Sequence, residues 1–189
     1  MSEDTITSED VITSDDTLIT AKRRFHIEEA ILVLLLILSL VGIGITDFSP
    51  ADGFGYWLIM VLVFAFFSIM IGWLQSKHRA EDFKIILREQ SIHWFMSLLV
   101  VGGAFLVQAF GPIGPEDAGL VILLILSLAT MLDGLRVGWR FSLVGLFLGV
   151  SAVIAAYTEH FLWIEILIAV AIVSGTILWE IWMEKKAQS

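Results

Sequence analysis

The sequence predicts an all-α membrane protein with six transmembrane helices. The mean hydropathy is +0.89, and only 16% of the 189 residues are charged whereas 58% are hydrophobic. A soluble domain of this length does not need so much apolar surface for its core. In addition, connections that carry Lys or Arg alternate along the chain with connections that carry neither. These observations together indicate a polytopic bundle in a lipid bilayer.

Residues 1–24 are predicted to form an acidic, disordered cytoplasmic tail. Every charge before Lys22 is negative, and the few apolar side chains there cannot offset the entropy lost on ordering the segment. A docking peptide is the alternative interpretation. The long acidic leader before the first apolar stretch argues against a cleaved signal peptide.

Six spans make up a predicted transmembrane domain over residues 25–184, and residues 185–189 form a cytoplasmic C-terminus. At about 1.5 Å per residue, a span of this length crosses a hydrocarbon core of roughly 30 Å. The fourth span is counted from Pro115, because proline and acidic residues are favoured in a first helical turn. The spans cover residues 27–45, 54–74, 92–110, 115–135, 137–157 and 161–183.

The basic residues orient these spans. They lie before span one, between spans two and three, between spans four and five, and after span six, and cytoplasmic loops are those that hold an excess of Lys and Arg. Both termini are therefore expected in the cytoplasm, with the protein in the plasma membrane or the inner membrane of a prokaryotic cell. The basic residues are Lys22, Arg23, Arg24, Lys77, Arg79, Lys84, Arg88, Arg136, Arg140, Lys185 and Lys186.

The connection between spans two and three predicts a short basic amphipathic helix on the cytoplasmic side. Its apolar residues follow helical spacing, whereas Lys84 and Arg88 fall on another face. Such a helix lies against anionic headgroups; a cytosolic extension of span three and a partner-docking site are the alternatives. The residues at helical spacing are Ala80, Phe83, Ile86, Leu87 and Gln90.

A short internal repeat is visible between the two halves of the chain. The hexapeptide Leu-Leu-Ile-Leu-Ser-Leu occurs at residues 35–40 and again at residues 123–128. Three spans in each half would give the inverted repeat found in many transporters. Chance identity between helices rich in Leu and Ile is the alternative.

Glu165 in span six is the leading candidate for a functional side chain. Polar groups inside a membrane have to be satisfied away from water, and an ionisable group there is a candidate for binding a proton or a cation. Gln108 near the outer end of span three and His160 just before span six are its expected neighbours. The alternative is a carboxylate that reaches the headgroups or pairs within the bundle.

Two further groups of residues predict structural roles. Asp133 lies three residues before Arg136 near the inner end of span four, a spacing that predicts a local salt bridge. Small residues on one face of span five predict close helix packing, against another span of this chain or against a second protein. These small residues are Gly138, Ser142, Gly145 and Gly149.

Catalytic chemistry has little support in the sequence. The chain has no cysteine, which excludes thiol nucleophiles, thiolate metal sites and disulfides. It has no phosphate-binding loop, nucleophile elbow or metalloprotease motif, and the spacing of its histidines matches no recognised metal site. We expect no enzymatic activity, cofactor or metal, and the net charge of -9 argues against a nucleic-acid partner.

The expected function is that of a non-catalytic membrane subunit, which packs against, positions or regulates a larger assembly. Its partner would be another membrane protein or further copies of this chain. Few ionisable groups lie deep in the predicted spans, whereas small and apolar surfaces are abundant. The alternative is a small ion channel or a cation- or proton-coupled transporter that uses Glu165 and the acidic outer loops.

Overall fold

A computed structural model describes residues 8–75, 80–157 and 162–187 of the chain. These residues form six helices and no strand, and all six helices are long and apolar enough to cross a membrane. The prediction of an all-helical chain with six apolar helices is confirmed, and it is consistent with a multi-pass membrane protein. The helices are α1 (Ser8–Phe48), α2 (Pro50–Gln75), α3 (Ala80–Phe110), α4 (Pro115–Val137), α5 (Trp139–Tyr157) and α6 (Leu162–Ala187).

The first helix extends further toward the N-terminus than the apolar segment requires. The α1 backbone is helical from Ser8, which differs from the disordered tail expected for residues 1–24. The apolar stretch His26–Phe48 supplies a long stable helix, and adding a residue to an existing helix costs far less than nucleating a new one. Residues 1–7 lie outside the described part of the chain.

The third helix is continuous from Ala80 to Phe110. Among the described residues, the segment predicted to be amphipathic is therefore the start of α3, and its place against the headgroups stays a prediction. Neither Gly nor Pro occurs between residues 80 and 101, so nothing in the sequence ends the helix before it enters the apolar segment.

Helix α4 lies at the centre of the bundle. It packs on α2, α3 and α5, and 56% of its apolar segment is buried, the largest share among the six described helices. Helix α1 packs on α2, α5 and α6, while α6 packs on α1 and α5. In the core, Phe64 of α2 contacts Trp94 of α3 and Phe141 of α5, with ring centroids 6.4 and 5.9 Å apart. Such ring packing favours association of α2, α3 and α5 through close van der Waals contact.

Helices α4 and α5 form a tight antiparallel hairpin. Gly138 is the single residue between them, and its φ of 146° lies in a region that glycine adopts readily. Further along, a Cβ added to Gly145 would lie 2.6 Å from the backbone nitrogen of Met131. Only residues without a Cβ allow the two backbones to come so close.

The two ends of the bundle differ in charge. We call the basic end the one that holds Glu28 of α1, the first turns of α3 and α5, and the last turns of α2, α4 and α6. There, Arg140 donates from Nη1 to Oε2 of Glu28 at 3.4 Å and joins α5 to α1. The opposite, acidic end has no Lys or Arg among the residues that the structure describes, and it carries Asp47, Asp52 and Asp117.

Candidate functional site

Glu165 lies in the first turn of α6 and is completely buried. The hydroxyl of Ser151 on α5, also buried, donates a hydrogen bond to Oε2 of Glu165 at 2.5 Å. The other carboxyl oxygen, Oε1, is buried and has no hydrogen-bond partner. A carboxyl group is therefore withdrawn from water with part of its hydrogen-bonding capacity unfilled.

The hydroxyl of Ser151 has two oxygen neighbours. Besides Glu165, it lies 2.8 Å from the carbonyl oxygen of Phe147, one turn earlier on α5. A hydroxyl has one proton to donate and two lone pairs that can accept. Both contacts are hydrogen bonds at the same time only when Glu165 carries a proton and donates it to Ser151. The geometry thus accommodates the carboxylic acid form of Glu165.

The position of Glu165 follows from the way in which α6 packs. The buried residues of α6 are Glu165, Ala169 and Thr176, which recur at helical spacing and form one stripe. Near the start of this stripe, a Cβ added to Gly44 of α1 would lie 3.4 Å from Cδ1 of Leu162. Helices α1 and α5 therefore cover Glu165 from two sides.

The structure does not bring Gln108, one of the predicted neighbours, to Glu165. Gln108 is half-buried on α3, which packs mainly on α2 and α4, whereas α6 packs on α1 and α5. His160 lies outside the described residues. Ser151 was not predicted, although a hydroxyl within an apolar span is itself a signal that a partner is needed.

Asp133 of α4 is completely buried, and neither of its carboxylate oxygens has a hydrogen-bond partner. The predicted salt bridge to Arg136 is not formed. The two residues are neighbours along α4, but Asp133 is in the bundle interior, while Arg136 is exposed and lines a surface groove beside Glu89 and His93. The guanidinium group extends to the surface, and the carboxyl group of Asp133 is left in the core without a hydrogen-bond partner.

The small residues of α5 are used within the chain. Ser142 donates to the carbonyl oxygen of Met131 at 3.1 Å, and Ser127 of α4 donates to the carbonyl oxygen of Gly145 at 2.8 Å. Gly138 is the turn residue of the hairpin. The predicted packing face, which also includes Gly149, therefore lies against α4 of the same chain.

No group of three or more His, Asp or Glu side chains is placed to hold a metal ion within the described ranges. No known protein family, curated protein or solved structure matches this chain. The function is therefore inferred from the two buried carboxyl groups, Glu165 and Asp133, and from the helices that hold them.

Proposed function

We propose that this chain is a small cation- or proton-coupled membrane transporter in which Glu165 binds the ion. One observation carries the proposal: Glu165 is fully buried in a helix apolar enough to span a membrane, and Ser151 is its hydrogen-bond partner. Burying an ionised carboxylate away from water is costly unless the charge is neutralised. A proton or a cation removes that cost, so reversible binding is the chemistry that this group suits.

The packing of α6 supports this proposal. Only 17% of its apolar segment is buried, and its main contacts are with α1 and α5. Helices with few packing contacts are those that shift most readily relative to a rigid core. A small shift of α6 would separate Glu165 from Ser151 and expose the carboxyl group to water.

The proposed orientation places both termini and the basic end in the cytoplasm of a cell whose plasma or inner membrane holds the protein. The distribution of Lys and Arg supports it. The acidic end would then face outward and concentrate cations near Glu165. The orientation can be tested by introducing one cysteine at a time into the loops and labelling it with a membrane-impermeant thiol reagent from each side. The chain has no cysteine of its own, so the unchanged protein gives no background label.

The test is ion flux into proteoliposomes that contain the purified full chain, under imposed H⁺, Na⁺ or K⁺ gradients. Glu165→Gln should abolish flux, because a carboxamide neither exchanges a proton nor neutralises a cation. Ser151→Ala should slow flux by roughly fivefold, the effect expected for one hydrogen bond. A pH-sensitive dye and ion-sensitive dyes inside the vesicles provide the measurement.

The matched control is Glu180→Gln, a second glutamate on α6 that is only partly buried and lies toward the basic end. Its flux should equal that of the unchanged chain. Equal flux in Glu165→Gln would remove Glu165 from the transport step. Absence of flux under all three gradients would contradict the proposed function.

A second candidate function is that of a membrane subunit that positions or regulates a larger assembly. The observation that favours it is the large exposed apolar surface of two helices. Only 11% of the apolar segment of α3 and 17% of that of α6 are buried. Trp163, Trp179 and Trp182 are exposed on α6, and Trp is enriched at protein interfaces. A stoichiometric second protein in the complex purified from native membranes, identified by native mass spectrometry, would support this candidate. A monomer or a pure homo-oligomer would contradict it.

A further inference from the structure

Four buried polar side chains near the basic end each have an atom without a hydrogen-bond partner. Ser68 on α2 and Asp133 on α4 are 0% exposed, and Gln90 and Trp94 on α3 are 3% and 4% exposed. The unpartnered atoms are Ser68 Oγ, Gln90 Oε1, Trp94 Nε1 and both carboxylate oxygens of Asp133. Unsatisfied polar atoms in a membrane-spanning segment are costly, so this concentration calls for a ligand.

Contacts between α2 and α3 place Ser68 level with Gln90. The two helices are antiparallel and touch at two places. Ser68 lies midway between these two places on α2, and Gln90 lies midway between them on α3. In each case four residues, about 6 Å along the helix, separate the polar residue from either contact. The contacts are Phe64 with Trp94, whose ring centroids lie 6.4 Å apart, and Gly72 with Ile86, where an added Cβ would lie 2.8 Å from Cγ2.

Contacts between α3 and α4 bring Asp133 to the same level. His93 donates from Nε2 to the carbonyl oxygen of Ala129 at 3.0 Å. Asp133 lies four residues after Ala129 on α4, and Gln90 lies three residues before His93 on α3. Because the two helices are antiparallel, these steps run in the same direction, and the heights of Asp133 and Gln90 along the bundle differ by about one residue, or 1.5 Å. Helices α2, α3 and α4 all pack on one another. Ser68, Gln90 and Asp133 therefore share one level of a three-helix core.

No basic side chain bonds to Asp133 among the residues that the structure describes. Arg136 is exposed on the surface of α4, and Arg140 is bonded to Glu28 between α5 and α1. The carboxylate oxygens accept no hydrogen bond from any described residue. An ionised Asp133 would be a buried negative charge without a bonded counter-charge in this part of the chain.

We propose that Ser68, Gln90 and Asp133 form a binding site for one monovalent cation of the sodium type. Oxygen ligands suit hard cations, and one carboxylate balances a single positive charge, whereas a divalent ion would leave a buried excess. The carboxylate, amide and hydroxyl oxygens are the ligands. Trp94 lies one turn away, and its N–H is a donor that cannot bind a cation, so it lies outside the ligand set.

A groove passes close to this site on the outside of the same helices. It has a volume of about 650 Å³, runs between α3 and α4, and is lined by residues that include Glu89, His93, Ala129 and Arg136. Ser68, Gln90 and Asp133 do not line it, but His93 and Ala129 lie about one turn from Gln90 and Asp133 along their helices. An ion that entered the groove would therefore have about one helical turn left to cross.

This site does not rest on the transport role proposed for Glu165. It is built on α2, α3 and α4, whereas Glu165 lies between α1, α5 and α6. One site can exist without the other, and the same purified protein can be used to test each.

The test is equilibrium binding of radioactive ²²Na⁺ to the purified full chain in detergent or nanodiscs. In the Glu165→Gln variant, which removes the other proposed ion-binding group, we expect saturable binding of one ion per chain. Adding Asp133→Asn should weaken this binding by roughly a hundredfold, because the buried ion loses its charged partner. Adding Ser68→Ala should weaken it by roughly fivefold, and adding Glu180→Gln should leave it unchanged.

Size-exclusion chromatography and thermal unfolding confirm that each variant is folded. If Asp133→Asn does not fold, Ser68→Ala and Gln90→Leu decide the question: weaker binding in both supports the site, and unchanged binding in both overturns it. Absence of saturable binding to the unchanged chain also overturns the proposal, as does equal binding to a folded Asp133→Asn. A carboxylic acid infrared band of Asp133 that persists in saturating Na⁺ would show that a proton fills the site instead.

Discussion

Helices α5 and α6 have similar mean hydropathies, 1.8 and 2.2, but they are packed very differently. A Cβ added to Gly145 of α5 would lie 2.6 Å from the backbone of α4, whereas one added to Gly175 of α6 would meet nothing within 4 Å. The same residue type allows a close helix contact in one place and lies on an open surface in the other. Composition alone therefore does not distinguish the fixed part of an apolar bundle from its periphery.

The side chains that we propose to bind ions are divided between the tightly packed helices α4 and α5 and the loosely packed α6. Ser151 belongs to α5, on the hairpin, and Asp133 belongs to α4, the most buried helix of the bundle. Glu165 belongs to α6, which has few contacts. A site between a rigid element and a loosely packed one can open without unfolding the core, whereas a site within the rigid core holds its geometry.

The largest loss of stability should come from the double change Gly145→Leu and Gly149→Leu in the tightly packed hairpin. The new side chains would collide with Met131 and Ser127 of α4, and the backbone of the hairpin would have to move. We expect a loss of about 3 kcal/mol or more in the free energy of unfolding. Thermal unfolding and size-exclusion chromatography in detergent measure it.

The matched control is Gly102→Leu with Gly103→Leu on α3, where an added Cβ meets nothing within 4 Å. These changes should leave the protein folded and monodisperse. Equal stability of the α5 and α3 variants would contradict the close approach of α4 and α5.

A smaller effect is expected at the basic end, where Arg140 and Glu28 join α5 to α1. Their side chains are 12% and 21% exposed, so the pair is only partly accessible to solvent. Arg140→Gln and Glu28→Gln should each lower the free energy of unfolding by about 1 kcal/mol, and the double variant should lose no more than the larger single loss. Losses that simply add in a double-mutant cycle would show that the two side chains do not interact.

The smallest effect is expected at Gly175→Ala on α6. Alanine favours helix over glycine by up to about 1 kcal/mol, and the space beside Gly175 is open. Stability should stay equal or rise slightly, in contrast to Gly145→Ala, which should destabilise the hairpin. A clear loss at Gly175, measured by thermal unfolding, would mean that this surface is packed against something in the purified protein.

The number of apolar helices could be predicted from sequence because hydrocarbon imposes a strong constraint, whereas α1 and α3 extend beyond the predicted spans. Each crossing needs a long apolar run with its backbone hydrogen bonds satisfied internally. The predicted span 137–157 and the observed helix Trp139–Tyr157 differ by two residues at one end. The orientation of the spans, the amphipathic character of residues 80–91 in the membrane and the internal repeat stay predictions.

The neighbours of the polar residues could not be predicted in the same way. Helix α4 has apolar residues on all sides, so its sequence gives no signal for which face is buried. Asp133 was therefore paired with the nearest base along the chain, Arg136, although Asp133 is buried and Arg136 is exposed. Likewise, nothing in the sequence indicates that α6 lies beside α1 and α5 and away from Gln108.

The one-residue connection at Gly138 has a consequence for how the protein is made. Two helices joined so tightly cannot lie apart in the bilayer, because a one-residue connection keeps their ends together, and the glycine face of α5 packs only against α4. We expect α4 and α5 to leave the insertion machinery as a single hairpin. Reporter fusions placed at this turn would disturb biogenesis itself, even where the finished fold could tolerate a longer loop.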